Sequence, residues 1–545
     1  MKKKIISALL AAVMVFSLTA CGGGSDKKSA DGTYYNTYLD TDPTTMDPVK
    51  GNDTYSMGIL RNIMEPLTRM EEDGDKQERK GAGAESWESN DDGTVWTFHL
   101  RDNKWSDGEP VTADDYVYGM KQTLDPEAGS PNAFYITCIK NGEAIYNGEK
   151  DVSELGVKAV DDKTLEITLE YSVPYFLSLT DTRAMYPVRE DLVEKYGESY
   201  GANVESMVGC GPFKMTSWKR NSKIELEKNE NYWDKDSVKL DKVNYQNVSD
   251  QTARFNSFDS GSLDYVACAD KEWIGRFDKK DKVDVVEAPI PTVRYDFFNC
   301  QDKIFSNVNI RKAFTMAVNR EDMCSVIYND IHKPLYGWVP YSTSTGELGE
   351  YRDQVEEPLK SITEDPKELL LKGMQELGLG SDPSTLNITY TLSGTTEWTR
   401  NYAAYCQQMW EKILGVKVEL DFNEWGTFQS KTNNGEFQIA MMTWSIDYDD
   451  PMAMMEVFAG GSNMVPVFWQ NEQYDSLVAQ ARKEMDEKTR VDLYKQAENI
   501  LLAEDCVVSP NVNECTHSYY YQYVKNYNKL ASSTSGLKYV DTSAR

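Results

Sequence analysis

Residues 437–451 read Phe437-Gln438-Ile439-Ala440-Met441-Met442-Thr443-Trp444 and then Ser445-Ile446-Asp447-Tyr448-Asp449-Asp450-Pro451. The apolar octet predicts a buried strand, and the polar run closing on a proline predicts the turn that ends it. Binding groups collect where strands end at a cleft. A carboxylate there, Asp447, sheltered by Trp444 and Tyr448, is placed to hold a ligand ammonium by charge-assisted hydrogen bonds worth about 1.5–3 kcal/mol. A surface Asx turn ahead of a helix accounts for the same residues.

Outward from this stretch, strands and helices alternate irregularly. Val416, Val418, Leu420 and Phe422 alternate with Lys417, Glu419 and Asp421, a strand with one wet face. Residues 95–100, 165–169 and 224–227 alternate in the same way. Asp365-Pro366-Lys367-Glu368 supplies an N-cap, a proline at the first helical position and a glutamate at the third, and Gly378 closes a helix over about 366–377. Tyr474, Leu477, Val478, Ala481 and Met485 share one helical face, and Leu493, Ala497, Ile500 and Leu501 another. The class is therefore mixed α/β, without repeats.

The chain has 545 residues, more than one hydrophobic core serves, so two or three lobes are expected. Its N-terminus looks like an export signal: Lys2, Lys3 and Lys4 precede an apolar stretch over 5–16 that is too short to span a bilayer. Leu18-Thr19-Ala20-Cys21 looks like a bacterial lipobox, with Cys21 receiving the lipid, and Gly22-Gly23-Gly24-Ser25 opens a polar tether. An ordinary secretory signal is the alternative. Loss of the three signal lysines takes the net charge from −30 to −33, which argues against nucleic acid. Eight further cysteines include no CxxC pair; Cys506 and Cys515 would bridge if the segment between them turned at Pro510.

Familiar catalytic patterns are missing. GxSxG, SxxK, Walker A and GxGxxG settings do not occur. Val208-Gly209-Cys210-Gly211-Pro212-Phe213 is glycine-rich, but a strand-like stretch follows it, and backbone tightness explains it better than phosphate binding. Asp47, Asp107, Asp114 and Asp115 are too ordinary in so acidic a chain to mark a glycosidase. Three scattered histidines do not suggest zinc. No enzyme activity, metal or cofactor is expected.

A series of short motifs resembles the extracytoplasmic solute-binding proteins of peptide ABC importers, the oligopeptide- and dipeptide-binding proteins of solute-binding family 5. In order they are Thr45-Met46-Asp47-Pro48; Ala84-Glu85-Ser86-Trp87 with Trp96-Thr97-Phe98-His99-Leu100-Arg101; Lys104-Trp105-Ser106-Asp107-Gly108-Glu109-Pro110-Val111-Thr112-Ala113-Asp114-Asp115; Gly209-Cys210-Gly211-Pro212-Phe213; Asn229-Glu230-Asn231-Tyr232-Trp233; Asn309-Ile310-Arg311-Lys312-Ala313-Phe314; Gly415-Val416-Lys417-Val418; and Asp447-Tyr448 with Asp450-Pro451. The resemblance runs from about Tyr34 to the C-terminus.

It implies an α/β, two-lobed periplasmic-binding-protein-like fold with a two-strand hinge and an extra domain inserted in the N-terminal lobe. Carried over, residues 1–20 are the lipoprotein signal and 21–30 the tether. Lobe I comprises 31–67, 208–293 and 505–545, the inserted domain 68–207, and lobe II 294–504. It further implies a monomer, anchored through Cys21 at the outer face of the cytoplasmic membrane, that binds peptides and hands them to membrane permease subunits. Asp447 then holds the peptide ammonium, with Trp444, Tyr448 and the pocket tryptophan Trp425 around it. Thr432 and Met441 stand where some members carry arginines for the peptide carboxylate; Arg400, with Lys431 as a second choice, is the candidate here. Relatives that bind nickel complexes, haem or oligosaccharides, and a peptide sensor, are the competing readings.

Overall fold

The computed structural model describes residues 32–73, 76–462, 464–529 and 536–545. The signal, the tether and Cys21 lie outside them. Among the described residues no helix is long and apolar enough to cross a membrane.

The strand expected over 437–444 spans Ile439–Ser445, and it is buried only through Met441. Beyond that point Thr443 and Ser445 are exposed. The cause is its neighbours: the strand pairs antiparallel with residues 292–298 along its whole length. On its other side it meets the parallel strand Asn387–Ser393 only at Ile439 and Ala440. Asn387–Ser393 continues instead in seven pairs with Lys417–Asn423. Residues 442–445 are left with one unpaired edge.

These strands belong to a seven-stranded sheet whose two longest members, Val283–Phe298 and Val508–Tyr521, run through two regions of the molecule. In one region residues 283–289 pair with 515–521, flanked by Tyr265–Ala267. In the other, residues 293–297 pair with 508–513, flanked by Ile439–Ser445. The register shifts between Pro289 and Val293, where Pro289 and Pro291 have no N–H to give the ladder. A second sheet holds Tyr34–Leu39, parallel to Lys242–Asn247, followed by Lys223–Lys228 and Phe213–Lys219. A third, antiparallel, orders Ala84–Ser89, Val95–Leu100, Thr164–Thr168 and Val157–Asp161. Helix Ala113–Leu124 packs across it, opened by a capping box of Thr112 and Asp115. Asp115 and the ion-paired Asp107, 3.1 Å from Arg189, thus have structural work.

Local signals were faithful where they were strong. Asp365 caps helix Pro366–Glu376 through the N–H groups of Lys367 and Glu368 at 2.9 and 3.1 Å, and Gly378 follows at φ +68. The glycine loop is a packing device, since a Cβ at Gly209 would stand 2.1 Å from the Ile63 carbonyl oxygen. Met485 leaves its expected face: helix Glu472–Ala481 ends before it, and it is 53% exposed. Cys506 and Cys515 are free thiols. The segment between them runs straight as strand instead of turning, and nine residues at ~3.3 Å each part them far beyond disulfide reach.

Candidate functional site

The turn after Ser445 is pinned from beneath. Ile446 donates its N–H to the Pro291 carbonyl at 3.0 Å. Asp450, 3% exposed, accepts from the Met452 N–H at 2.9 Å, the Tyr494 hydroxyl at 2.9 Å and Arg490 Nη1 at 2.7 Å. A buried charge is tolerable only when paired and hydrogen-bonded, and Asp450 is both, so it serves as the anchor. Its neighbours Asp447 and Asp449 line a cavity of about 140 Å³.

Asp447 is exposed, but to a cleft. Tyr135, on the short helix Ala133–Ile136, donates its hydroxyl to Asp447 Oδ1 at 2.8 Å from the opposite wall. Among the described residues no lysine, arginine or histidine nitrogen lies within 4 Å of it. The loss of bulk water pushes its pKa up, against the Tyr135 hydrogen bond and the charge of Arg183. Asp449 accepts the Ser344 N–H at 2.8 Å, and burial pushes its carboxyl up to about 6. Tyr448 stacks on Tyr175 at 5.0 Å and donates to Glu456 Oε1 at 2.7 Å. Behind Tyr135 and Tyr448 lies a second cavity, of about 270 Å³, walled by Tyr171, Tyr175, Glu456 and Arg482.

The structure therefore brings together Asp447 and Tyr448, with half-buried Trp444 on the strand leading to them. It does not bring Arg400 or Trp425 to the cavity. Arg400 is exposed on helix Glu397–Leu414, its Nε turned back to the Thr395 carbonyl at 3.2 Å. Trp425 is 51% exposed and stacks on Phe428 at 5.7 Å. Lys431 is occupied by Asp421 at 2.7 Å. Arg400 and Trp425 still follow the carboxyl ends of Asn387–Ser393 and Lys417–Asn423, strands of the same sheet as Ile439–Ser445.

Sequence reading missed the opposite wall: Tyr135, Arg61, Arg79, Asp181 and Arg183. That wall is tied down by Asn132, a buried residue whose Nδ2 reaches the carbonyls of Pro48, Val49 and Gly51 at 3.3, 3.1 and 3.1 Å. Among the described residues no group of histidine, cysteine, aspartate and glutamate could hold a metal ion.

Residues 78–465 match the bacterial extracellular solute-binding proteins, family 5 Middle. The dipeptide-binding protein DppE of Bacillus subtilis is 36% identical over 93% of this chain and 93% of its own. The oligopeptide-binding protein OppA of the same organism is 35% identical over 92% and 93%. Among solved structures, the substrate-binding domain of an oligopeptide ABC transporter from Bacillus anthracis superposes with TM-score 0.78 at 31% identity, covering 94% of this chain and 99% of that one. The murein tripeptide binding protein MppA of Escherichia coli gives TM-score 0.79 at 28% identity, covering 94% and 99%.

Proposed function

The chain belongs to the bacterial extracellular solute-binding proteins of family 5, and from that premise we propose that it is a lipid-anchored receptor that closes on peptides and delivers them to an ABC permease. The observation that carries the peptide reading is a strand edge ending in an unpaired carboxylate. Residues 442–445 offer main-chain groups along about 13 Å, enough for three or four residues of an added strand. Asp447 waits at the end of that edge without a cation of its own. A peptide laid antiparallel to the edge puts its ammonium on Asp447. Trp444 and Tyr448 shelter that end; Trp425 and Arg400, outside the cavity, meet only longer peptides.

Ligand contacts made from both walls favour the closed arrangement, which a permease reads. The lobes we assign are 31–67, 208–293 and 505–545 against 294–504, with 68–207 inserted in the first. One relative, from Escherichia coli, is named as a probable deoxycholate-binding protein; a steroid acid has no ammonium, and Asp447 would gain nothing from it.

Binding stabilises by mass action, about 2.7 kcal/mol at one hundred times the dissociation constant. A mixed di- to hexapeptide library, added to protein stripped of ligand by unfolding and refolding, should raise Tm and reduce the radius of gyration. A flat response removes peptides as the solute. For the anchor, Cys21→Ala should move the protein out of the membrane fraction; retention with normal signal processing contradicts it.

A further inference from the structure

The cavity at Asp447 holds more charge than one ammonium needs. On one wall stand Asp447 and Asp449. On the other stand Arg61, Arg79 and Arg183 with Asp181. Arg79 is answered by Asp181 at 2.9 Å and by Thr68 Oγ1 at 3.0 Å. Arg61, in the last turn of helix Thr54–Ile63, makes no side-chain hydrogen bond or ion pair among the described residues. Arg183 gives its Nε to Asn132 Oδ1 at 2.8 Å, and among the described residues neither Nη nitrogen has an acceptor. Asp447, held by the Tyr135 hydroxyl, and Asp449, held by the Ser344 N–H, thus share the cavity with Arg61 and Arg183, and among the described residues no carboxylate–guanidinium contact crosses it. A ligand carrying both an ammonium and a carboxylate answers both walls with charge-assisted hydrogen bonds.

We propose that Arg61 and Arg183 hold a carboxylate of the same ligand whose ammonium meets Asp447. The assignment rests on the peptide reading above and specifies what kind of peptide the site takes. The guanidinium fork matches a carboxylate in two parallel hydrogen bonds. Arg183 is aimed in advance: Asn132 is itself fixed by three main-chain carbonyls, so little ordering cost remains on binding. Arg61 and Arg183 both line this cavity. The distance is short. About 140 Å³ holds roughly ten waters, so the carboxylate lies within one or two residues of the ammonium. Two sources satisfy this: the terminal carboxylate of a dipeptide, or an acidic first side chain of a longer peptide.

Calorimetry at pH 7 with Ala-Ala, Ala-Ala-amide, Asp-Ala-Ala-amide and Ala-Ala-Ala-amide separates them. At least one of the two ligands carrying a carboxylate should bind roughly 30-fold or more tighter than its amide counterpart. The one that does identifies the source. Arg61→Gln with Arg183→Gln should bring that ratio close to one; the single variants, at half-buried positions, serve if the double variant does not fold. Equal binding of acids and amides by the wild type overturns the assignment without any variant, as does a ratio that survives the substitutions. In either case peptide binding itself stands. If none of the four ligands binds, it is the peptide reading that has failed.

Discussion

At the scale of the residue, pH acts on ligand affinity and on the stability of the empty protein in opposite directions. Asp447 has its pKa raised by burial in the empty protein, and a ligand ammonium favours its ionised form. Protons therefore compete with the peptide. Affinity for free-amino peptides should fall with falling pH as Asp447, its pKa raised in the cleft, takes a proton. In Asp447→Asn the fall should be much shallower; an equal slope contradicts the role of Asp447. Stability of the empty protein runs the other way. Asp296, buried in the sheet beneath Tyr390, Tyr402 and Asn511, is pushed up to about 6 by burial. A raised carboxylate contributes stability that is complete below its unfolded value, near 3.9, and lost as pH rises through 6. Asp296 and Asp449 should thus lower the Tm of the empty protein between about pH 4 and 7, while affinity climbs. Asp447 was legible because a run of apolar residues pointed at it. Tyr135 and Arg183 were not, because they lie 312 residues from Asp447 along the chain in one case and carry no periodic pattern around them.

At the scale of the element, the sequence showed that 437–444 is a strand and hid what matters about it. Apolar content reports burial averaged over a segment, and it cannot report that Asn387–Ser393 parts from Ile439–Ser445 after Ala440. That parting creates the free edge. The same blindness let Arg400 stand as a candidate: proximity along the chain placed it near the site, but the helix it sits on turns its Nε toward Thr395. Pairing with the edge makes a specific demand on the ligand, since main-chain N–H groups of an added strand point alternately toward and away from its neighbour. N-methylation scanned along a tripeptide or tetrapeptide should cost about tenfold at one amide and little at the next, the loss of one hydrogen bond to a partly buried acceptor. Uniform tolerance at every amide contradicts strand addition.

At the scale of the whole molecule, contacts between residues 68–207 and 294–504 surround the site. Tyr135 meets Asp447, Tyr175 stacks on Tyr448, Lys483 lies 5.0 Å over the Tyr171 ring, and a Cβ on Gly93 would stand 3.6 Å from the Met485 methyl. The exposed Met485 thereby has a partner across the cleft. Residues 208–293 and 505–545 are tied to 294–504 by Val283–Phe298 and Val508–Tyr521, whose ladder is interrupted between Pro289 and Val293. The central claim is that a peptide ammonium on Asp447 holds these regions together, and a cycle with the ligand amine as the second site of change tests it. Calorimetry compares wild type and Asp447→Asn, each with a free-amino peptide and its N-acetylated form. Removing one side of a buried charge pair commonly costs 2–5 kcal/mol, so Asp447→Asn should weaken the free-amino peptide by roughly 30-fold or more. The acetylated peptide, already poor for wild type, should lose much less. If acetylation costs as much in Asp447→Asn as in wild type, the amine is held elsewhere and the account is wrong.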